Sequence, residues 1–162
     1  MWNSFTATLR QLQQQYEKIR ALQDKKRGVL VALDMAGLEA LTAQEELLAT
    51  SVQALEQQRL ALLARIAETT PGVTVQTTME ELALLAPTEA VHRSVLGASR
   101  SLSRIVKETK DRSEANALLM EGLLRAVNRQ LGKIGGAVVD PVYGNTGGEQ
   151  VRHLRKNLDY KA

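Results

Sequence analysis

Leucine recurs at seven-residue intervals in the first half of the chain, and this spacing limits the possible folds more than any other feature. The leucines are Leu41, Leu48, Leu55 and Leu62. A seven-residue apolar repeat is close to two helical turns, so it places these side chains along one narrow seam of a long helix. A companion row on the same helix consists of Leu38, Glu45, Val52, Arg59 and Ile66. We expect its two charged members either to mark an exposed end of the seam or to pair with a neighbouring helix.

The stretch before these leucines has the same helical character. Its apolar positions alternate in steps of four and three residues: Phe5, Leu9, Leu12, Tyr16 and Ile19. Ser4 is a candidate N-cap, and residues 34–37, which end in glycine, predict a short turn before a second helix that begins around Leu38. A connection this short makes consecutive helices antiparallel neighbours, so we predict a helical hairpin over residues 4–69.

A short helix is predicted after the hairpin. Thr77 or Thr78 would cap it, with a glutamate three residues further on completing a capping box. Pro87 ends this piece, so its predicted range is 77–86.

The longest predicted helix covers residues 88–134, which contain no proline. At 1.5 Å per residue it would span roughly 70 Å. The polar stretch 107–114 predicts a bend or a break in helix packing there. The seam positions of this helix are Val95, Leu102, Val106, Thr109, Ser113, Asn116, Met120, Leu123, Val127, Gln130 and Ile134.

These patterns predict an all-α protein. We expect an elongated antiparallel helical bundle or coiled coil over residues 1–134, with about three long helices plus a short one. Aromatic residues make up only 3% of the chain, which suits aliphatic helix seams better than a β-sandwich. Two glycines end the last helix, and residues 135–162 are predicted to form a flexible tail. Within it, 149–160 is a candidate amphipathic helix.

The sequence offers little for catalysis or metal binding. It contains no cysteine, which excludes disulfides, thiolate ligands and a cysteine nucleophile. His92 and His153 have no metal-ligand neighbour at helical spacing. The glycine-rich run at 144–148 lacks the lysine and the preceding strand of a phosphate-binding loop. We therefore predict a protein that is not an enzyme and needs no metal or cofactor.

Charge and hydropathy also limit the expected partners. The formal net charge is +3, and the basic residues alternate with glutamates instead of forming the basic patch typical of nucleic-acid binding. No apolar run approaches the roughly 20 residues that cross a bilayer, and the N-terminal residues do not resemble a signal peptide. We expect a cytoplasmic protein without nucleic-acid binding or membrane insertion.

The end of the long helix is its most apolar part. The residues concerned are Leu118, Leu119, Met120, Leu123, Leu124, Val127, Leu131 and Ile134. A stripe of this width needs two packing partners. One is the hairpin, and the other is either a second part of the same chain or a helix of a client protein that docks in the groove.

The order of these features resembles the FlgN family of bacterial flagellar export chaperones. The helical part of the resemblance consists of DMAGLEALT at 34–42, QEELL at 44–48, LEQQR at 55–59 and NALL at 116–119. The most specific part is VYGNTG at 142–147, which is similar to the Tyr-Gly-x-x-Gly motif in the tail of that family.

The resemblance implies a bacterial cytoplasmic chaperone that binds hook-associated (hook–filament junction) proteins, keeps them unassembled and delivers them to the membrane export gate. By position, Tyr143 and Gly144 would dock on that gate, although Tyr143 packing against the bundle is an alternative. The client-binding residues would be Asn116, Leu119, Met120, Leu123, Val127, Leu131 and Ile134, joined by Val151, Leu154 and Leu158 of the tail.

Two other functions fit parts of the pattern. A structural coiled coil could oligomerise through the long helix, with Thr109, Ser113 and Asn116 fixing its register. A binder of membrane surfaces or anionic partners could act through the basic segment 149–162.

Overall fold

The computed structural model describes residues 1–74 and 76–134, and all regular secondary structure in these ranges is helical. The helices are α1 (Trp2–Val31), α2 (Met35–Thr69), α3 (Met79–Leu84) and α4 (Glu89–Ile134). The predicted all-α class, with three long helices and a short one, is therefore confirmed.

The chain divides into two compact units, Met1–Asn116 and Ala117–Ala162. The first unit contains α1, α2, α3 and α4 up to Asn116, whereas the described part of the second unit is the last stretch of α4. The predicted tail at 135–162 and its candidate helix at 149–160 lie outside the described residues.

A three-residue connection joins α1 to α2. Leu33 adopts a left-handed conformation with φ of 55°, and its N–H donates to the carbonyl of Leu30 while the N–H of Asp34 donates to that of Val29. This pair of hydrogen bonds is a Schellman motif, which satisfies the last carbonyls of a helix. The side chain of Asp34 then accepts a 2.9 Å hydrogen bond from the N–H of Gly37 and caps α2. Asp34 therefore both closes α1 and opens α2.

Two predictions about the helix ends are wrong. Ser4 is not an N-cap, because α1 begins at Trp2 and Met1 precedes it without a side-chain cap. The second helix does not begin around Leu38. It begins at Met35, with Asp34 as its cap and Gly37 in its first turn. Glycine suits that position for space, since a β-carbon on Gly37 would overlap the carboxylate of Asp34.

Between α2 and α4 the chain turns at Gly72, whose φ is 88°, and forms α3. Of the two predicted capping boxes, the structure contains the one between Thr78 and Glu81. The N–H of Thr78 donates to the Glu81 carboxylate at 2.8 Å, and the N–H of Glu81 donates to the Thr78 hydroxyl at 3.3 Å. The Thr78 hydroxyl also donates to this carboxylate at 2.9 Å, and the two hydrogen bonds from Thr78, first the one from its backbone, lower the pKa of Glu81.

The main apolar core of the first unit lies where both ends of the hairpin, α3 and the start of α4 meet. The side chains of Phe5, Ile66, Leu82 and Val95 come from the four helices in turn, and each is fully buried. Val73 of the connecting loop joins the same cluster. Because each helix contributes, this core holds the beginning of α4 against the hairpin.

Further along, hydrogen bonds and ion pairs join α4 to α1. The side-chain pairs that join the two helices include Arg10–Ser94 at 3.0 Å, Arg20–Glu108 at 2.7 Å and Asp24–Arg112 at 2.9 Å. The pairs advance in the same direction along both helices, so α4 runs parallel to α1 and antiparallel to α2.

The predicted break of packing at 107–114 is wrong, because α4 is continuous there and stays in contact with α1. The inward positions also differ slightly from the predicted seam. Ile105 is buried, and Ser113 is exposed while Arg112 faces α1. Thr109 and Asn116, both predicted seam positions, are buried and form hydrogen bonds with α1.

Candidate partner-binding site

Four side chains form a polar layer across the first unit, just before the apolar end of α4. The amide nitrogen of Asn116 donates to the backbone carbonyl of Gln23 at 2.8 Å and to its side-chain oxygen at 3.0 Å. Gln23 in turn donates to Glu45 at 2.6 Å, and Lys26 forms a 2.9 Å ion pair with the same carboxylate. The layer therefore connects α4, α1 and α2. Glu45 was expected either to mark an exposed end of the seam or to pair with a neighbouring helix, and it pairs with Lys26 of α1.

Asn116, the first of the predicted client-binding residues, belongs to the polar layer. Asn116 and Gln23 are both buried, and the side-chain amide of Asn116 donates twice to Gln23. A buried amide with these partners contributes to packing within the chain. The client-binding prediction is consequently carried by the residues that follow Asn116.

Beyond Asn116, the apolar residues of α4 fall on one side of the helix. At about 100° per residue, six of them lie within an arc of roughly 100°: Met120, Leu123, Leu124, Val127, Leu131 and Ile134. We call this set the apolar stripe. Leu119 lies at its edge. Charged residues occupy other positions of the helix, where Arg125 pairs with Glu121 at 3.5 Å.

The apolar stripe is incompletely covered. Val127 is 43% exposed and Ile134 is 81% exposed, whereas Leu119, Met120, Leu123, Leu124 and Leu131 are half-buried. Contiguous exposed apolar side chains on a helix face are typical of protein-binding surfaces. The stripe is therefore the best candidate surface for a partner among the described residues.

Leu118 does not belong to this surface. It lies about 160° around the helix from Met120 and is 66% exposed. The prediction that Leu118 widens the stripe is therefore wrong. A helical projection of residues 116–134 would have revealed the difference. The position has an experimental use, because Leu118 is an exposed leucine of the same helix outside the stripe.

The remaining predicted site residues lie outside the described residues. They are the export-gate residues Tyr143 and Gly144 and the tail residues Val151, Leu154 and Leu158. Their roles therefore stay predictions.

The described ranges offer little for catalysis or metal binding. Nδ1 of His92 donates to the carbonyl of Ala83 at 2.8 Å, which fits a structural histidine. Across residues 1–74 and 76–134 no three His, Cys, Asp or Glu side chains are grouped to hold a metal ion. In the same part of the chain, no helix has the length and hydropathy needed to cross a membrane.

One protein family matches most of the chain. The sequence model of one family, described as FlgN protein, matches residues 1–150. The chain belongs to the FlgN family. Proteins of this family are flagellar export chaperones. The match includes the apolar stripe and extends through Tyr143 and Gly144. No curated protein and no solved structure gives a significant match to the chain.

The polar layer was not predicted, although the sequence contains a signal for it. Gln23 and Lys26 interrupt the apolar seam of α1, and Glu45 interrupts the companion row of α2. In an antiparallel hairpin with its turn near Leu33, these interruptions lie opposite each other. Pairing the two sets of seam defects would have predicted the contact.

Proposed function

We propose that this member of the FlgN family is a cytoplasmic chaperone for hook-associated (hook–filament junction) proteins of the bacterial flagellum. It would bind these clients, keep them unassembled and deliver them to the export gate of the flagellar secretion apparatus. The family assignment supports export chaperoning in general. The apolar stripe supports the proposed client site.

The single observation that carries the client site is the exposure of Val127 and Ile134 on the apolar stripe. A chaperone must hold an aggregation-prone segment and later release it, so limited apolar contact on one helix face suits the task. Tail residues Val151, Leu154 and Leu158 would extend this surface when the client is bound. Binding and delivery of this kind need no cofactor and no catalytic group.

The alternative of an oligomeric coiled coil is less well supported. Two of the three polar seam residues that would set the register of an oligomer, Thr109 and Asn116, have partners within this chain, and Ser113 is exposed. Thr109 donates to the carbonyl of Ile105 at 2.7 Å and lies 3.3 Å from that of Tyr16, and Asn116 is part of the polar layer. We therefore retain client binding as the function of this helix.

The test compares two variants that remove exposed aliphatic surface from the same helix. Val127→Ser/Ile134→Ser changes the apolar stripe, and Leu118→Ser changes the opposite side. Losing two aliphatic contacts should weaken binding to purified hook-associated proteins by about tenfold or more, whereas Leu118→Ser should bind as the unchanged chain does. Calorimetric titration measures both, and circular dichroism verifies that the helix content is unchanged. Equal affinity of all three proteins would refute the proposed client site.

A further inference from the structure

An open groove lies in the first unit, between α1 and α2. Leu22 and Leu48 line it together with Ala21 and Gln44, and it encloses about 420 Å³. Leu22 is buried, but Leu47, on the α2 side, is 74% exposed. The exposure of Leu47 beside the other apolar lining residues indicates that no described part of the first unit covers the groove.

Two lysines border the same groove on the α1 side. Lys18 and Lys25 are among its lining residues, and they lie one heptad, about 10 Å, apart along the helix. We call the groove with these two residues the lysine groove. Positions two apart on a helix differ by about 200°, so Lys18 faces away from Arg20, which pairs with α4. The lysine groove is thus on the side of the hairpin that α4 leaves open.

The charge of the lysine groove is uncompensated. Neither Lys18 nor Lys25 forms an ion pair with a described residue, in contrast to Lys26, which pairs with Glu45 on the neighbouring side of α1. The residues that line the groove include no acidic side chain, and Gln44 makes the α2 border polar but neutral. An occupant would therefore meet positive charge along one border only.

We propose that the lysine groove is a docking site for an amphipathic helix of another protein that has acidic residues along one flank. Such a helix would place apolar side chains against Leu22, Leu47 and Leu48. Acidic side chains repeating every seven residues would face Lys18 and Lys25. This site is independent of the proposed client site, which uses the apolar stripe of α4.

Charge disfavours the two occupants that the chain itself could supply. A second copy joined symmetrically through this groove would add the same two lysines and no acidic lining residue, so the positive charge would stay uncompensated. The tail segment around Arg152, Arg155 and Lys156 is also basic, so like charges would oppose its docking. An acidic helix from a different protein is the occupant that complements the groove.

The test uses synthetic helical peptides of three heptads with leucine at the two seam positions. One peptide has glutamate along one flank and glutamine along the other, and the second has lysine in place of each glutamate. The full-length chain should bind the acidic peptide and not the basic one in fluorescence anisotropy, with affinity falling as sodium chloride is raised. Lys18→Glu/Lys25→Glu should weaken the acidic peptide about tenfold and gain affinity for the basic one.

Matched controls come from the same chain. Arg100 and Lys107 are exposed, seven residues apart on α4 and without an ion pair among described residues; Arg100→Glu/Lys107→Glu should leave the affinity for the acidic peptide unchanged. Leu47→Ser should weaken that peptide severalfold, and Leu60→Ser, at a leucine that is exposed but outside the groove, should not.

Three results would overturn the proposal. The first is equal affinity for both peptides, and the second is equal loss in both charge-reversed pairs. The third is sedimentation that shows self-association removed by Leu47→Ser, which would assign the groove to a second copy. Because client binding is measured with Val127→Ser/Ile134→Ser, failure of either proposal can be recognised separately.

Discussion

At the scale of single residues, the connection between α1 and α2 depends on Asp34. Its backbone completes the Schellman motif of α1 and its carboxylate caps α2. The carboxylate approaches so closely that Gly37 has no room for a side chain. Asp34 and Gly37 therefore act as a pair, and a change at either affects the same cap.

Gly37→Ala should destabilise the protein by about 1 kcal/mol, because the added methyl group displaces the Asp34 cap. The matched control is Gly28→Ala in α1, where nothing lies within 4 Å of an added β-carbon. That control should be neutral or more stable by about 0.5–1 kcal/mol, since alanine favours a helix over glycine. Urea unfolding followed by circular dichroism measures both. A stable Gly37→Ala variant would contradict the proposed role of the cap.

Glu108 makes the contact between α1 and α4 sensitive to acid. Its hydrogen bond with Arg20 is the largest influence that lowers its pKa, and the positive charges of Arg20, Arg104 and Arg112 add to it. A carboxylate whose pKa is lowered by folding stabilises the folded state above its unfolded pKa, near 4.5, and loses that contribution as pH falls through the folded value.

Glu108→Gln should therefore lower the urea midpoint at pH 7 and lose less stability than the unchanged chain as pH falls below about 5. Glu39→Gln is the control, because Glu39 is exposed and forms no ion pair with described residues. Measurement of urea midpoints between neutral and acid pH distinguishes the variants. Parallel pH profiles for the unchanged chain and Glu108→Gln would exclude a role for the Arg20 pair.

At the scale of helices, the polar layer sets how α4 lies against the hairpin. An apolar seam tolerates a shift by one turn at small cost, but the hydrogen bonds of Asn116 with Gln23 are satisfied in one register only. Among the described residues every buried side-chain nitrogen and oxygen has a partner. The layer therefore specifies the position of α4 more than it adds stability.

Asn116→Ala should cost about 1–3 kcal/mol, because the side-chain oxygen of buried Gln23 loses a donor. Ser113→Ala, at an exposed position one turn away, should change stability by less than about 0.5 kcal/mol. Thermal unfolding of the two variants provides the comparison. Similar losses at the two positions would mean that the layer is not a specific contact.

The helices could be predicted from the sequence more reliably than the contacts between them. The seven-residue leucine spacing of α2 and the alternating steps of α1 correspond directly to buried or half-buried seams, because helical periodicity is a local property. The role of Arg112 could not be predicted in the same way. Its inward position depends on where Asp24 of α1 lies. When that contact is unknown, a polar residue in a helix is expected to face solvent.

The candidate site shows the same limit. The apolar character of the last part of α4 is evident from its composition, but the assignment of Leu118 needed the angular position around the helix. The lysine groove was not predicted, because Lys18 and Leu47 are ordinary exposed positions in their own helices. Only the pairing of α1 with α2 places them along one groove.

At the scale of the whole molecule, the proposed function separates client binding from delivery. The apolar stripe belongs to α4, and the proposed gate-docking residues Tyr143 and Gly144 belong to the tail. A tyrosine buries a large ring at modest entropic cost, which suits a docking element that is followed by a glycine. The two activities should therefore be separable by mutation.

Tyr143→Ala should leave affinity for hook-associated proteins unchanged and reduce delivery, which is measured as secretion of those proteins into the medium. Tyr160→Ala is the matched control, since it removes a second tyrosine from the same tail. If Tyr143→Ala lowers client affinity and secretion equally, Tyr143 belongs to the client surface or to the packing of the bundle.

The polar character of the α1 side that meets α4 has a consequence for the order of assembly. The ion pair between Lys26 and Glu45 joins residues 19 positions apart, whereas the contacts of α4 with α1 join residues 84 to 93 positions apart. Closing the shorter loops costs less entropy, so we expect the hairpin to form first, while the rest of the chain is still being synthesised. During that interval Arg20, Gln23 and Asp24 face water and can be hydrated. This part of the nascent hairpin therefore exposes little apolar surface to other chains.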